Sequence, residues 1–366
     1  MRLGISTLHW SDNYGAVLQA YALQTHLTRK GHDVHILDVR PPAPLPSLTP
    51  WLSYTLRGIK LKARARRRHA FFESFRRRHL RLTPRPLRSA QALQAEATHY
   101  DALVCGSDQV WNPRWQLQHE WFPAAYLLEC APHHVRRISY AASFGFTECG
   151  SLPAIWRQRF HAAVSTFDAI SVREATGVGI VRKLAGRGDA TLVADPTLLI
   201  DRADLHSLAV PPPLPQPYIF TNMLHRLAPK ADAWLSSGMW PTNMRHLRCD
   251  APDRWPQHAG PVLSPAAWLG AIRDATCVIT NSFHAVIMCL RFHTPFIALP
   301  LEGDLAPMNV RLQDTLGEFG LTDRIARSPV IPDRSLRTGE WDWAAVDATA
   351  DGLRDRASSF LRDSGL

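Results

Sequence analysis

Several short stretches of the 366-residue sequence put side chains capable of chemistry where an apolar run gives way to a polar loop. "TNSFHA" (280–285) sets Asn281, Ser282 and His284 between an apolar strand and an apolar helix. A helix amino terminus lowers the proton affinity of an imidazole and attracts anions. His284, with Asn281 and Ser282 beside it, therefore suits an anionic ligand or proton transfer; a hydrogen-bonded core histidine is the plainer reading. "CGSDQVWNP" (105–113) delivers Asp108, Gln109, Trp111 and Asn112 from the end of a buried strand. Polar side chains for hydroxyls and an indole for a ring face make a sugar-binding set, although an indole is equally at home in a core. In "SVRE" (171–174), Arg173 can fork onto a carboxylate or phosphate or pair with Glu174 or Asp195. Asp195, before Pro196, reads as a turn former. "SDNYGA" (11–16) carries Asp12, Asn13, Tyr14 and Gly15 into a helix; these types cap helices and also hold oxygen-rich ligands at helix starts. His293 has no comparable neighbours and reads as structural.

These loops need a frame that brings strand ends together. "LGIST", "YGAVLQAYALQTHLTRKG" and "DVHILDV" read strand, helix, strand, a βαβ opening that implies a parallel sheet. "YDALVCGSDQVW", "RRISYAASFG", "FDAISVRE" and "ATLVADPTLLI" continue it. The proline-rich "VPPPLPQP" (210–217) reads as a domain linker. Beyond it, "YIFTNML" and the block 260–300 start a second set of strands and helices, and residues 340–364 read as a terminal helix. The expected architecture is α/β, with domains 1–210 and 211–366. In open parallel sheets ligands sit beyond the carboxyl ends of the strands, where the candidate loops lie.

Hydrophobic residues make up 46% and charged residues 20% of the chain, which is a globular composition. The amino terminus has no signal-peptide pattern, and no apolar run is long enough to span a bilayer. The six cysteines form no CxxC pair, so small buried hydrophobes in a reducing cytoplasm are expected. The net charge of +10 is local: residues 57–88 hold 13 Lys and Arg against the single acid Glu73, and the remainder is slightly acidic. Apolar positions near helical spacing make 51–88 a basic helical segment. Phe71, Phe72 and Phe75 fall on one side and suit a core rather than base stacking, which argues against nucleic acid. An anionic membrane surface and a merely solvated face both fit the charge. GxGxxG, GxxxxGK[ST], HExxH, GxSxG and DxD are absent, so no metal site and no cofactor are expected.

In order along the chain, "NYGAVLQAYAL" (13–23), "YDALVCGSDQVWNP" (100–113), "ISVRE" (170–174), "VADPTLL" (193–199), "TNSFHAVIMCLRFHTPF" (280–296) and "NVRLQDTLGEFGL" (309–321) resemble the polysaccharide pyruvyl transferase family, over roughly residues 3 to 325. The resemblance implies two Rossmann-like domains facing a cleft, in the manner of GT-B glycosyltransferases. It implies transfer of pyruvyl from phosphoenolpyruvate to two hydroxyls of a sugar, giving a cyclic ketal and phosphate without a metal. The family's donor-binding arginine and histidine fall on Arg173 and His284. On that footing His284 binds an anionic end of the donor and supplies a proton, Arg173 clamps the other end, and Asn281 and Ser282 assist. Asp108 or Asp12 takes the hydroxyl proton, and Asn13, Tyr14, Gln109, Trp111 and Asn112 line the acceptor side. The expected acceptor is a glycan or lipid-linked sugar of a bacterial surface polysaccharide, met in the cytoplasm or at the inner leaflet through residues 57–88. A nucleotide-sugar glycosyltransferase, or pyruvyl transfer to another acceptor, is the alternative.

Overall fold

A computed structural model describes residues 1–41, 56–149, 152–224, 228–236, 240–241, 243–249, 260–326 and 341–366. Residues 42–55, which include most of the proline-rich break and the start of the expected basic helix, lie outside the described residues. The chain forms two compact units. The first comprises Met1–Ala43, Arg76–Ile200 and Ala350–Leu366, the second Pro44–Phe75 and Asp201–Thr349.

The first unit is built on six parallel strands: β1 (Arg2–Ser6), β2 (Asp33–Ile36), β3 (Ala102–Cys105), β4 (Arg136–Ala142), β5 (Ala169–Val172) and β6 (Thr191–Leu192), in the order β2-β1-β3-β4-β5-β6. Leu3 pairs with both Val34 and Ala102, which fixes the register at the centre. A parallel sheet is covered on both faces, so its inner strands are apolar throughout. The period of two is visible on β3: Ala102 and Val104 join one core, Leu103 and Cys105 the other. The first of these cores includes Leu3, Ile5, Ala20 and Leu23; the second includes Trp111, Tyr126, Trp156 and Phe160.

The second unit has four parallel strands, β7 (Tyr218–Asn222), β8 (Arg245–Arg248), β9 (Cys277–Thr280) and β10 (Phe296–Ala298), in the order β10-β9-β7-β8. All ten residues of the helix Phe283–Phe292 are buried against this sheet and its neighbours. Two wholly parallel sheets flanked by helices confirm the α/β, doubly Rossmann-like expectation. All six cysteines are buried and free. Among the described residues no helix is long and apolar enough to cross a membrane.

Three boundaries differ from the sequence reading. The units divide at Ile200–Asp201, ahead of the proline-rich 210–217. The helix Arg202–Leu208 packs on Pro265–Arg273, and Val210 donates its N–H to Ala266 O. Gly270 permits this approach, since a Cβ there would collide with the Val210 carbonyl. The basic helix runs Leu56–His79 and stops there. Leu82 and Leu87 instead bridge to Ile36 and Val39 as extended chain, as Pro84 and Pro86 require. The terminal helix, Trp343–Asp363, does not belong wholly to the second unit. His293 caps its own helix in the left-handed conformation, bonds Asp347 through Nε2 at 2.9 Å and stacks on Trp343, which stacks on Trp341. Further along, Ala357, Leu361 and Leu366 enter the first sheet's core.

Candidate active site

In the first unit the loops after five strands are stitched into one polar cluster. Thr7, after β1, donates Oγ1 to Ser107 O at 3.0 Å and receives Gln19 Nε2 at 2.8 Å. Ser107, after β3, donates Oγ to Asp195 Oδ2 at 3.1 Å. Asp195 accepts Thr197 N and Thr197 Oγ1 on its other oxygen. Arg173, after β5, donates Nη1 to Asp195 Oδ2 at 2.5 Å, with Glu174 Oε1 at 3.5 Å from Nε and Asp108 Oδ1 at 3.6 Å from Nη2. Ser143, after β4, donates to Glu174 Oε1 at 2.5 Å. One guanidinium thus faces three carboxylates. Burial acts to lower the Arg173 pKa, but Asp195, Glu174 and Asp108 outweigh it and hold the group more firmly protonated than usual. The two carboxylates nearest the sheet are sealed, with side-chain exposures of 1% for Asp195 and 4% for Glu174; Asp108 keeps 16%.

Asp108 is the member of the cluster that reaches solvent, and its backbone is shaped for it. It sits at φ 74°, a left-handed conformation that aspartate tolerates better than most residues. Ser143 N and Val110 N both bond its carbonyl and hold it there. Gln109 and Asn112 pair with each other, Asn112 Nδ2 to Gln109 Oε1 at 2.8 Å, while Asn112 also caps the next helical turn. Gly145 lies against this pair; a Cβ there would come within 2.5 Å of Gln109 Oε1.

Trp111 is not an acceptor platform. It is fully buried, packs against Phe144, Phe160 and Phe167, and donates Nε1 to Tyr126 O at 3.1 Å. A ring with both faces in the core cannot meet a sugar. Tyr14 is likewise buried. Asn13 caps the helix Tyr14–Arg29, accepting from Ala16 N at 3.3 Å. Asp12 pairs with Arg76 at 2.9 Å. The sequence reading passed over His9, which lies buried beside these loops. Its Nδ1 faces Thr7 O at 3.1 Å and its Nε2 faces Asp38 Oδ1 at 3.0 Å. Burial depresses the His9 pKa, against the opposing pull of Asp38.

In the second unit, β9 ends at Thr280 and the helix Phe283–Phe292 follows. Asn281 spends its amide on the backbone of Leu224, accepting from N and donating to O, both at 2.7 Å. Ser282 caps the helix through Ala285 N, and its own N–H bonds Thr280 Oγ1 at 3.0 Å. Thr280 Oγ1 in turn donates to Asn222 O at 2.6 Å. Asn281 and Ser282 therefore build the turn; the side chain this turn presents at the helix start is His284, edge-on to Phe283 at 5.1 Å. On the same ring lies Arg311, its guanidinium 5.7 Å from the Phe283 centroid. Arg311 begins a helix, Val310–Glu318, after a loop that Asn309 pins to Leu301 by two backbone bonds. Arg311 lies within "NVRLQ", but nothing local marks it out: a 3-10 turn, Gly303–Asn309, separates its helix from β10. Among the described residues, no group of His, Cys, Asp and Glu could hold a metal ion.

A family model described as polysaccharide pyruvyl transferase matches residues 13–302. No curated protein sequence matches the chain. Among solved structures, a putative UDP-N-acetylglucosamine 2-epimerase from Listeria monocytogenes aligns at TM-score 0.53 and 8% identity, over 98% of this chain and 94% of its own. The UDP-GlcNAc 2-epimerase of Methanocaldococcus jannaschii aligns at 0.43 and 11%, over 92% and 98%. An O-GlcNAc transferase mutant from Thermobaculum terrenum aligns at 0.44 and 14%, over 100% and 64%. At such identities these likenesses concern the fold alone, and the first carries it.

Proposed function

Because the chain belongs to the polysaccharide pyruvyl transferase family, we propose that it moves the pyruvyl group of phosphoenolpyruvate onto two hydroxyls of a sugar. The methylene carbon gains a proton and becomes a methyl group. One hydroxyl oxygen bonds to the neighbouring carbon, phosphate departs with the C–O bond electrons, and the second hydroxyl closes the ketal. Of the two protons lost by the hydroxyls, one balances the new methyl group and one leaves on phosphate.

The observation that carries this reading is the turn Asn281–His284, where two side chains are committed to shaping the backbone and an imidazole is set at a helix amino terminus. Such a terminus favours an anion, and Arg311 over the Phe283 ring adds a cation from the same unit. In this reading His284 and Arg311 hold the donor, with His284 also supplying the proton. The guanidinium of Arg173 is surrounded by three carboxylates, so an anionic donor brought to it would meet net negative charge. We therefore assign Arg173 to positioning Asp108, and Asp108 to receiving the hydroxyl proton, with Asp12 as the second carboxylate. Gln109, Asn112 and Asn13 lie on the acceptor side; Trp111 and Tyr14 act from the core.

The acceptor is a sugar of a surface polysaccharide or its lipid-linked precursor. Exposed Lys62, Arg66, Arg67, Arg77 and Arg78 on one helix suit an anionic membrane surface carrying such a precursor. Phosphate release from phosphoenolpyruvate across a panel of sugar acceptors tests the proposal, with His284→Ala as control. Acceptor-dependent release that the variant loses is the expected result. Silence together with no phosphoenolpyruvate binding, and a thermal shift with nucleotide-sugars instead, would move the chain to glycosyl transfer.

A further inference from the structure

Arg76 stands apart from the basic helix that contains it. Its neighbours Arg77 and Arg78 are exposed, whereas the Arg76 side chain has no exposure at all. Nε donates to His9 O at 2.8 Å, and Nη2 reaches Trp10 O at 2.8 Å, Ser11 O at 2.7 Å and Asp12 Oδ1 at 2.9 Å. Three successive carbonyls and a carboxylate converge on one guanidinium. Successive residues in regular strand or helix do not aim their carbonyls at a common point, so this loop takes its shape around the cation. The loop is tied at its two ends as well: Thr7 bonds Ser107 and Gln19, and Asn13 caps the following helix. Between those ties, Trp10 donates Nε1 to Tyr126 OH at 2.9 Å.

We infer that Arg76 is a positioning residue for the acceptor side of the site, holding Trp10–Asn13 in the conformation that presents Asp12 and Asn13; this rests on the pyruvyl-transfer reading above. A lysine at 76 supplies a charge but not the planar fork, and so cannot serve four acceptors spread around it. Without any cation the carbonyls lose their common partner and the loop reopens.

The test uses the full chain with Arg76→Lys and Arg76→Ala, in two readouts. In kinetics of acceptor-dependent phosphate release, Arg76→Lys is expected to lower kcat/KM for the acceptor by about tenfold to a hundredfold, the range seen for displaced positioning groups. Phosphoenolpyruvate affinity should stay unchanged, and added guanidinium ion should restore part of the Arg76→Ala activity. In hydrogen exchange, protection should fall at residues 9–13 and stay elsewhere. Unaltered acceptor kinetics and unaltered exchange at 9–13 would overturn the inference. So would a loss shared with phosphoenolpyruvate binding, spread through the whole exchange map and not rescued by guanidinium. If Arg76→Ala does not fold, Arg76→Lys carries both readouts. If the wild type releases no phosphate with any acceptor, the reaction assignment fails, and local exchange at 9–13 still decides whether Arg76 holds the loop.

Discussion

The two units solve the same problem, a polar loop after a buried parallel strand, in opposite ways. The first unit ties side chain to side chain: Ser107 and Arg173 bond Asp195, Ser143 bonds Glu174, and Asp108 stands at the rim. The second ties side chain to backbone: Asn281, Ser282 and Thr280 hold main-chain groups, and His284 stands at the helix start. One arrangement leaves excess carboxylate, which suits taking a proton from a neutral hydroxyl. The other sets an imidazole at a helix amino terminus, with Arg311 over the ring of Phe283, which suits a small anion. The contrast teaches that an arginine at a strand end is not by itself an anion site; what surrounds the guanidinium decides.

The sharpest break of that contrast is His284→Ala. Turnover should fall by about a hundredfold or more, as for loss of a general acid, with weaker phosphoenolpyruvate binding in calorimetry. Retained binding and turnover would return His284 to the core. Arg173→Met comes next and separates positioning from donor clamping. Leaving three carboxylates without their cation should cost about 3–5 kcal/mol of folding stability, read as a lower denaturant midpoint. A stable variant that merely fails to bind phosphoenolpyruvate would restore the clamp reading.

Asp108→Asn sharpens the assignment within the first unit. Acceptor-dependent turnover should drop by about a hundredfold, a typical general-base contribution, while phosphoenolpyruvate affinity holds; equal losses in both would place Asp108 on the donor side. Trp111→Phe is expected to remove about 1–2 kcal/mol by deleting a buried hydrogen bond to Tyr126 O and some ring volume, with no change in acceptor KM. A raised acceptor KM in a fully folded variant would show that the indole reaches the acceptor after all. Asn281→Ala has the smallest expected effect, about 1 kcal/mol for the two lost backbone bonds after compensation by water, visible as a shifted melting temperature.

Much of the architecture is legible in the sequence. Alternating and continuous apolar runs marked the strands, and the loops singled out by residue type do fall at the carboxyl ends of β1, β3, β5 and β9. What stayed hidden was direction and partnership. "GSDQVWN" places Trp111 two residues after Gln109, yet spacing does not say that the indole turns into the core while Asp108 turns out; the left-handed backbone at Asp108 does that. "SVRE" shows an arginine but not that carboxylates 22 and 65 residues away in sequence, Asp195 and Asp108, close around it. Arg76 was one cation among thirteen in a charge run, and its burial depends on a loop more than 60 residues earlier. Arg311 is concealed for the same reason, its contact with Phe283 lying 28 residues away in sequence. Long-range pairing of polar groups carries no local periodicity, so it is the part of a site that a sequence conceals best.

The packing of Ala357, Leu361 and Leu366 onto Leu3, Ile5 and Leu23 has a consequence in time. A ribosome delivers Ile200 long before it delivers Ala357. At common synthesis rates the interval is on the order of ten seconds or more. Throughout it, the sheet face that these residues cover waits exposed on a nascent chain. The first unit, although begun first, is therefore finished second, and its early half must be kept from sticking to its neighbours until the far end of the terminal helix arrives.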